Sequence, residues 1–264
     1  MNKMQQCEFN ILVKIIELFE KNDVEYCLAY GSILGAVRHK GFIPWDDDVD
    51  IYVKGKDYPR IRELFENTDL GSIKFHDYKT VKGYPYVFPK VVDTSTELKE
   101  KAFSHLDYTC GVYVDIFPVF EVSDKNLKFK IDNKKRYFRY GLVKFYYSKN
   151  SSNKLIAFFE KIIKKFINVN RAQKKLFKRY TSSKIKGTKI TEPNEFNKSK
   201  MLDTVYFEAY TKVKFEGIDV PIFAEYDKCL TVLYGDYMTP PPLEEQVGAH
   251  DIAHLKINME NENE

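Results

Sequence analysis

Two carboxylates close to a turn of small residues are the part of this sequence best suited to chemistry. Asp48 and Asp50 alternate with Val49 and Ile51, and in a strand alternate side chains point to the same face. The pattern predicts two carboxylates side by side on a strand, with the branched residues in a core. Such carboxylates repel each other unless a divalent cation lies between them, and Mg²⁺ takes a few carboxylate oxygens while leaving positions for water and phosphate. We interpret the pair as a metal–phosphate site.

The turn that precedes these carboxylates, residues 29–39, reads AYGSILGAVRH. Gly31 lets the backbone approach a phosphate closely, and Ser32, at the start of a helix, offers its hydroxyl and N–H groups to an anion. A glycine between a strand and a helix is common and indicates little alone. Combined with Asp48 and Asp50, it predicts a phosphate-binding turn.

A third carboxylate, Asp115, lies in the alternating segment 111–117, which predicts a strand with this residue on a polar face. Alone it could be an ordinary polar strand residue. In a metal site it could complete the coordination of the cation or accept the proton of an attacking hydroxyl. Arg38 and Lys90 are candidate phosphate-binding residues because they carry long basic side chains. His39 is a further candidate, although a surface position suits it equally well.

Several other sites are excluded by what stands at the required positions. The turn lacks the Gly-Lys-Ser/Thr of a P-loop, and its glycine spacing differs from that of a dinucleotide-binding turn. A calcium loop would need Gly at Ile51 and Glu at Asp57. His250 and His254 have the spacing of zinc-protease ligands, but Asp251 replaces the required Glu and no third ligand is evident. We expect the two histidines at most to line the substrate cleft.

The whole chain has 264 residues and is 44% hydrophobic, enough for one large domain or one domain with an appendage. Its four cysteines are far apart, which predicts buried free thiols in a reducing compartment. No secretory signal is visible, and no apolar run approaches the ~20 residues of a membrane-spanning helix. These features predict a cytoplasmic location, either in solution or at a membrane surface.

The pattern of apolar residues predicts an α/β fold. It predicts helices over 9–20, 58–65 and 223–234, a short helix ending at Arg38, strands over 24–29, 48–53, 86–92 and 111–117, and a hairpin over 215–220. The predicted organisation is a catalytic core over 1–124, a basic helical insertion over 125–190, a C-terminal part over 191–257 that completes the core and the cleft, and a disordered tail over 258–264.

The segment from Lys125 to Ile190 is strongly basic, with 21 Lys and Arg against only Asp132 and Glu160. Within it, residues 155–167 combine an apolar helical stripe with Lys161, Lys164 and Lys165. A basic amphipathic helix is typical of anionic lipid surfaces, and no nucleic-acid-binding motif accompanies this one. The segment favours a membrane surface or a lipid-linked pyrophosphate over nucleic acid, and a merely solvated helix face stays open. Lys161, Lys164 and Lys165 are the predicted membrane or acceptor contacts.

At these motifs the sequence resembles the LicD family, the phosphocholine-transferase-like group that includes fukutin and fukutin-related protein. The matching segments are 30–38, 43–50, 111–118, 215–217 and 233–238. The resemblance implies a nucleotidyltransferase-like mixed sheet with flanking helices. It also implies that Gly31 and Ser32 cradle donor phosphates and that Asp48, Asp50 and Asp115 surround Mg²⁺ or Mn²⁺.

The resemblance further implies transfer of a phospho-alcohol from CDP-choline, CDP-ribitol or CDP-glycerol to a lipid-linked glycan acceptor of the teichoic acid, capsule or lipopolysaccharide type. An enzyme of this kind is expected at the inner face of the cell membrane, as a peripheral protein without a nucleic-acid partner. Two alternatives stay open. One is a nucleotidyltransferase that uses a nucleoside triphosphate and releases pyrophosphate, and the other is a non-catalytic protein that binds lipid or nucleic acid.

Overall fold

The structure is a computed structural model that describes residues 1–248 and 250–257, so the tail predicted over 258–264 lies outside the described residues. Its helices are α1 (Lys3–Lys21), α2 (Tyr30–Arg38), α3 (Tyr58–Asn67), α4 (Asn126–Tyr147), α5 (Lys154–Phe166), α6 (Val169–Tyr180) and α7 (Tyr226–Tyr234). Its strands are β1 (Tyr26–Leu28), β2 (Asp50–Lys54), β3 (Ile73–His76), β4 (Lys90–Glu100), β5 (Cys110–Val122), β6 (Lys189–Thr191), β7 (Leu202–Asp203), β8 (Tyr210–Phe215), β9 (Ile218–Phe223) and β10 (Ile252–Lys256).

The main sheet of the described chain has the central order β1-β2-β5-β4-β10, with β3 on β4 and with β6 and β7 beyond the end of β5. Strands β2 and β5 are parallel, and β5 is antiparallel to β4. Since the sheet mixes both directions and helices flank it, the predicted α/β class with a mixed sheet is confirmed. All four cysteines are buried and free, as their spacing predicts.

Strand β5 is the centre of the sheet and is buried on both faces. Val114 and Ile116 on one face have no exposed surface, and Tyr113 and Phe117 on the other are almost as deeply buried. A strand covered on both sides reads as an apolar run. The face predicted to be polar at Asp115 is therefore buried, and the neighbours of Asp115 on that face of β5 are aromatic rings.

Helices α1, α3 and α6 cover the sheet with apolar faces, and α6 alone contributes Leu176, Phe177 and Tyr180 to the main core. Helix α4 is held to the chain after β6 by Arg136, whose guanidinium is fully buried and donates to the carbonyl oxygens of Glu192 and Glu195. Helix α5, in contrast, contains no buried residue. No described helix has the length and apolarity needed to cross a membrane.

The β8–β9 hairpin is fixed beside α2 by Glu216. This residue has a left-handed backbone (φ 47°) and is followed by Gly217 at φ 88°, a conformation that glycine adopts without strain. The Glu216 carboxylate accepts the N–H of Phe42 at 2.9 Å. A side chain at Gly41 would begin 2.0 Å from that carboxylate. The hairpin thereby holds the loop that runs from α2 to the acidic residues.

Candidate active site

Three adjacent strands bring two carboxylates and one ammonium group together. Asp50 at the start of β2 lies opposite Asp115 of β5, and Asp115 lies opposite Lys90 at the start of β4. Residues that face each other across neighbouring strands direct their side chains to the same side of the sheet. The strand register alone therefore gathers Asp50, Asp115 and Lys90 at one place.

Asp48 joins this group from outside the sheet. The strand begins at Asp50 rather than at Asp48, so the predicted boundary is two residues too early. The segment before it is nonetheless held in place, because the N–H of Asp115 donates to the carbonyl oxygen of Val49 at 2.9 Å. Carboxylate oxygens of Asp48, Asp50 and Asp115 all lie within 4.8 Å of one another. The three predicted metal-binding residues are thus neighbours in space.

The environment of these carboxylates disfavours three bare negative charges. Burial raises the pKa of Asp50 well above its usual value, and the charges of Asp48 and Asp115 raise it further. Burial also raises the pKa of Asp48 and that of Asp115, which reaches about 6 although the Lys90 charge lowers it. A donor set of closely spaced carboxylate oxygens is what a hard divalent cation prefers, and such a cation would relieve the repulsion. The residues present fit Mg²⁺ or Mn²⁺.

Lys90 is enclosed by aromatic rings. Its Nζ atom donates to Asp115 Oδ1 at 2.7 Å, and only 1% of its side chain is exposed. The same ammonium lies 3.3 Å from the ring centre of Tyr113 and 4.3 Å from that of Tyr86. Lys90 therefore holds and partly neutralises Asp115. The Lys90 ammonium is therefore not exposed to solvent, whereas a lysine that reaches out to bind a phosphate would have an exposed ammonium.

The turn at Gly31 is tied directly to the carboxylate strand. Ser32 Oγ accepts the N–H of Asp50 at 2.9 Å, and the N–H of Ser32 donates to the carbonyl oxygen of Ala29 at 3.0 Å. In the first bond Ser32 is the acceptor, so its hydroxyl proton is not used in that bond. A Cβ atom at Gly31 would lie 2.8 Å from Asp46 Oδ2. A side chain at position 31 would displace the Asp46 carboxylate from the start of α2.

A second group of acidic residues surrounds the first. Asp47 accepts the backbone N–H of His250 at 2.9 Å and lies 3.0 Å from its Nδ1 atom, and Asp48 lies 3.7 Å from the same atom. Burial opposes protonation of His250, but the hydrogen bond from Asp47 and the charge of Asp48 raise its pKa to about 9. His250, which we expected at most to line the substrate cleft, thus contacts the acidic residues. His254 instead lies on the surface, 3.4 Å from Glu97.

A cavity of about 480 Å³ opens beside the turn. Gly31, Arg38 and Asp46 line one side, and Tyr234 and Tyr237 line the other. Arg38 Nη1 donates to the carbonyl oxygen of Tyr237 at 2.7 Å. The cavity is thus built from the glycine turn and from the chain that follows α7. Gly31 and Arg38 therefore lie on the wall of the same cavity.

Comparison with known proteins agrees with this geometry. Residues 23–149 match the family described as LicD/FKTN/FKRP, nucleotidyltransferase domain. The chain is also 29% identical to the lipopolysaccharide cholinephosphotransferase LicD of Haemophilus influenzae over 256 residues, which cover 91% of this chain and 92% of that protein. Over this domain, and over most of its length, the chain is similar to the LicD family. The matched domain contains the glycine turn and all three carboxylates.

Shorter similarities concern only part of the chain. The ribitol 5-phosphate transferase FKRP of Homo sapiens is 37% identical over 59 residues, which are 22% of this chain and 12% of that protein. A Rickettsia prowazekii protein, RP689, is 44% identical over 48 residues, 18% of each chain. These stretches are too short to compare whole proteins, so the similarity to the LicD family rests on the matched domain and on the full-length alignment with LicD.

One acidic residue near the three carboxylates is not predicted by the sequence motifs. Glu8 of α1 is fully buried, and neither carboxylate oxygen has a hydrogen-bond partner among the described residues. Burial raises its pKa well above the usual value, and Asp48 contributes the largest of the neighbouring charges. The signal was available, because Glu8 is four residues after Met4 and three before Ile11, both of which are buried on the same helix. An acidic residue within a buried stripe is unusual.

The predicted membrane or acceptor lysines lie elsewhere. Lys161, Lys164 and Lys165 are all on α5 and line a different cavity, of about 910 Å³, together with Lys82 and Tyr146. None of the three carboxylates lines that cavity. The fold therefore separates an acidic centre in the sheet from a basic region at α5.

Proposed function

We propose that this protein transfers a phospho-alcohol from a CDP-activated donor to a hydroxyl of a cell-surface glycan precursor and releases CMP. The observation that carries the proposal is the carboxylate group of Asp48, Asp50 and Asp115 beside the glycine turn. Its relatives LicD and FKRP are named for cholinephosphate and ribitol 5-phosphate transfer, which supports transfer of a phospho-alcohol in general. Choline, ribitol, glycerol and ethanolamine are the candidate alcohols.

Asp48, Asp50 and Asp115 would hold Mg²⁺ or Mn²⁺. Such a cation neutralises the charge that develops on the phosphates and on the departing CMP. The protein supplies the rigid frame. Asp50 is fixed by the Ser32 bond to its N–H, and Asp115 is fixed by Lys90. Because the carboxylate oxygens that would bind the metal are held in place before the substrate binds, little reorganisation is needed during the reaction.

The donor phosphates would lie in the cavity beside Gly31, where the positive end of the α2 dipole favours anions. Arg38 extends the same surface with a cation at the wall of the cavity. Its bond to the Tyr237 carbonyl oxygen holds the guanidinium in place. These groups orient the bond that must break between phosphorus and the CMP oxygen.

An acceptor hydroxyl must lose its proton as it attacks the phosphorus. Asp115, whose pKa is raised by burial to about 6, is better matched to a proton transfer near neutral pH than an ordinary carboxylate. Lys90 keeps this carboxylate oriented and limits the rise of its pKa. We therefore propose that Asp115 both completes the metal-binding group and accepts or directs the acceptor proton.

A second candidate function is nucleotidyl transfer from a nucleoside triphosphate, with release of pyrophosphate. The description of the matched family as a nucleotidyltransferase domain favours it. The same carboxylates and glycine turn would serve it, and the attacked phosphorus would be the α-phosphorus. The two functions differ in the product that leaves.

Because the proposed acceptor is lipid-linked, we also propose that the protein works at the inner face of the cell membrane. Lys161, Lys164 and Lys165 are the predicted contacts, and the net positive charge of the segment from Lys125 to Ile190 supports an anionic surface as the partner. The same segment lacks a nucleic-acid-binding motif, so nucleic acid is not a proposed partner.

The proposal is tested by measuring CMP release from a panel of CDP-choline, CDP-ribitol, CDP-glycerol and CDP-ethanolamine with Mg²⁺ or Mn²⁺. A lipid-linked oligosaccharide extract supplies the acceptor, and the four nucleoside triphosphates serve as controls. Release of CMP from one donor, dependent on the acceptor, is the expected result. Release of pyrophosphate from a triphosphate would replace it with nucleotidyl transfer, and no product from any donor with a competent extract would contradict both.

A further inference from the structure

Helix α5 directs its apolar side to the outside of the molecule. None of its residues is buried, and Phe166 is 86% exposed. A helix on a globular domain normally turns its apolar stripe to the core and its polar residues to water. The large exposed apolar side chains of α5 are Leu155, Ile156, Phe158, Phe159, Ile162, Ile163 and Phe166.

The side of α5 that faces the protein is polar. Glu160 accepts the N–H of Ser151 at 2.7 Å. Lys164 Nζ donates to the carbonyl oxygen of Ser148 and to Asn150 Oδ1, the latter at 3.0 Å. With about 100° between successive helical residues, positions 160 and 164 lie about 40° apart, and the apolar side chains occupy the opposite side. These bonds to the loop after α4 fix the helix with its apolar side outward.

An apolar surface of this size on a soluble monomer marks a site of association. Its charge pattern identifies the partner. Lys154, Lys161 and Lys165 lie along one border of the apolar side, and all three are exposed. Lys161 and Lys165 also line the cavity of about 910 Å³ with Lys82. Cations beside an outward-facing hydrocarbon surface match the headgroups and acyl chains of an anionic bilayer.

We propose that α5 lies in the interface of an anionic membrane, with the side chains of Phe159, Ile162 and Phe166 inserted into the acyl region and Lys154, Lys161 and Lys165 on the phosphate groups. Nucleic acid would satisfy the lysines but would leave the apolar side in water. The inference assigns Lys164 a different role from that of its neighbours, because its ammonium is bonded to the protein. It deepens the proposed function, on which its purpose rests, by naming the surface that meets the membrane.

The test is co-sedimentation of the full chain with vesicles of phosphatidylcholine alone or with 30% phosphatidylglycerol added. We expect binding to the anionic vesicles and at least about tenfold weaker binding for the variant F159Q/I162Q/F166Q, since the variant replaces the inserted apolar side chains with polar ones. The variant K161Q/K165Q should lose about fivefold per lysine. The matched control K14Q/K21Q, which changes two exposed lysines on α1 outside the basic segment, should bind like the unaltered chain.

Insertion is measured separately by F166W fluorescence with bromine-labelled lipids, against the background of Trp45, the one tryptophan of the sequence. Quenching of the new tryptophan is the expected result. The proposal is overturned if the unaltered chain does not bind anionic vesicles, if F159Q/I162Q/F166Q binds equally well, or if binding occurs without quenching. The proposal is also overturned if the unaltered chain forms a dimer that F159Q/I162Q/F166Q abolishes. It is overturned as well if α5 binds an RNA or DNA oligonucleotide while the chain does not bind vesicles.

Lipid binding is measured without any catalytic reaction, so the membrane inference and the proposed reaction can fail independently. A chain that releases CMP from a soluble acceptor but ignores vesicles would retain the reaction and lose the membrane surface. A chain that binds vesicles through α5 and releases no CMP would do the reverse. Folding of each variant is checked by thermal unfolding, which we expect to be unchanged because α5 has no buried residue.

Discussion

Asp50, Asp115 and Lys90 hold their charges inside the main sheet, whereas α5 turns aromatic and aliphatic side chains toward the solvent. In the acidic centre, Lys90 and Asp115 hold each other at 2.7 Å, and Ser32 holds the backbone N–H of Asp50. Among the described residues, the core contains no side chain of α5. The difference is that the acidic centre is arranged inside the fold, as the proposed chemistry requires, whereas α5 leaves an apolar surface exposed, as the proposed membrane contact requires.

The sharpest way to test the role of the acidic centre is to remove its charges without changing its shape. Asp48→Asn and Asp50→Asn should each reduce CMP release by at least about 1,000-fold, because a site that stabilises charge loses most of its effect when one key group is removed. Thermal stability should be kept or raised, since the mutual repulsion of the carboxylates is relieved. The exposed Asp69→Asn in the loop after α3 is the matched control. Activity within tenfold of the unaltered protein in either variant would contradict the assignment.

The next effect concerns stability rather than turnover. Lys90→Met should lower the free energy of unfolding by about 3–5 kcal/mol, because it leaves the buried Asp115 carboxylate without its partner. The double variant Lys90→Met/Asp115→Asn should recover much of that loss. Urea denaturation measures both. An equal loss in the single and double variants would show that Lys90 acts through packing alone.

Matched isoleucines compare the two regions directly. Ile116→Ala in β5 should cost about 2–5 kcal/mol because it empties space in a fully buried core position. Ile163→Ala on α5, where the side chain is 51% exposed, should change the free energy of unfolding by less than about 0.5 kcal/mol. Denaturation without lipid measures the pair. A similar cost at both positions would mean that α5 packs against the protein in solution.

The smallest expected effect is a pH dependence at the border of the acidic centre. The folded protein raises the pKa of His250 from 6.5 to about 9, so the stabilisation from its protonated form is complete below pH 6.5. It is lost as the pH rises through about 9. The effect should be about 1–3 kcal/mol in metal-free buffer. Thermal unfolding between pH 6 and 9.5 measures it, and His250→Gln should remove this part of the slope; an unchanged slope would contradict the ion pairing.

Local patterns in the sequence predicted much of the fold and of the acidic group. Alternation identified β2 and β5, and the combination of a glycine turn with Asp48 and Asp50 identified the residues that the structure brings together. Asp48 lies before the strand, but two residues of chain are short enough that its carboxylate still reaches Asp50 and Asp115. The prediction therefore survived an error in the strand boundary.

What the sequence could not provide was the pairing of distant segments. Lys90 was taken as a phosphate-binding residue because nothing local reveals that β4 places it opposite Asp115. Periodicity likewise found the apolar stripe of α5 but could not determine which side faces the protein. That depends on the bonds of Glu160 and Lys164 to the preceding loop.

The most direct test of the central claim is a titration of the metal-free protein with Mn²⁺, in which the free ion is followed by electron paramagnetic resonance. The account predicts saturable binding to the unaltered chain and to K161Q/K165Q, and loss of that binding in Asp48→Asn and Asp50→Asn. Absence of Mn²⁺ binding to the unaltered chain, or undiminished binding in Asp50→Asn, would contradict it.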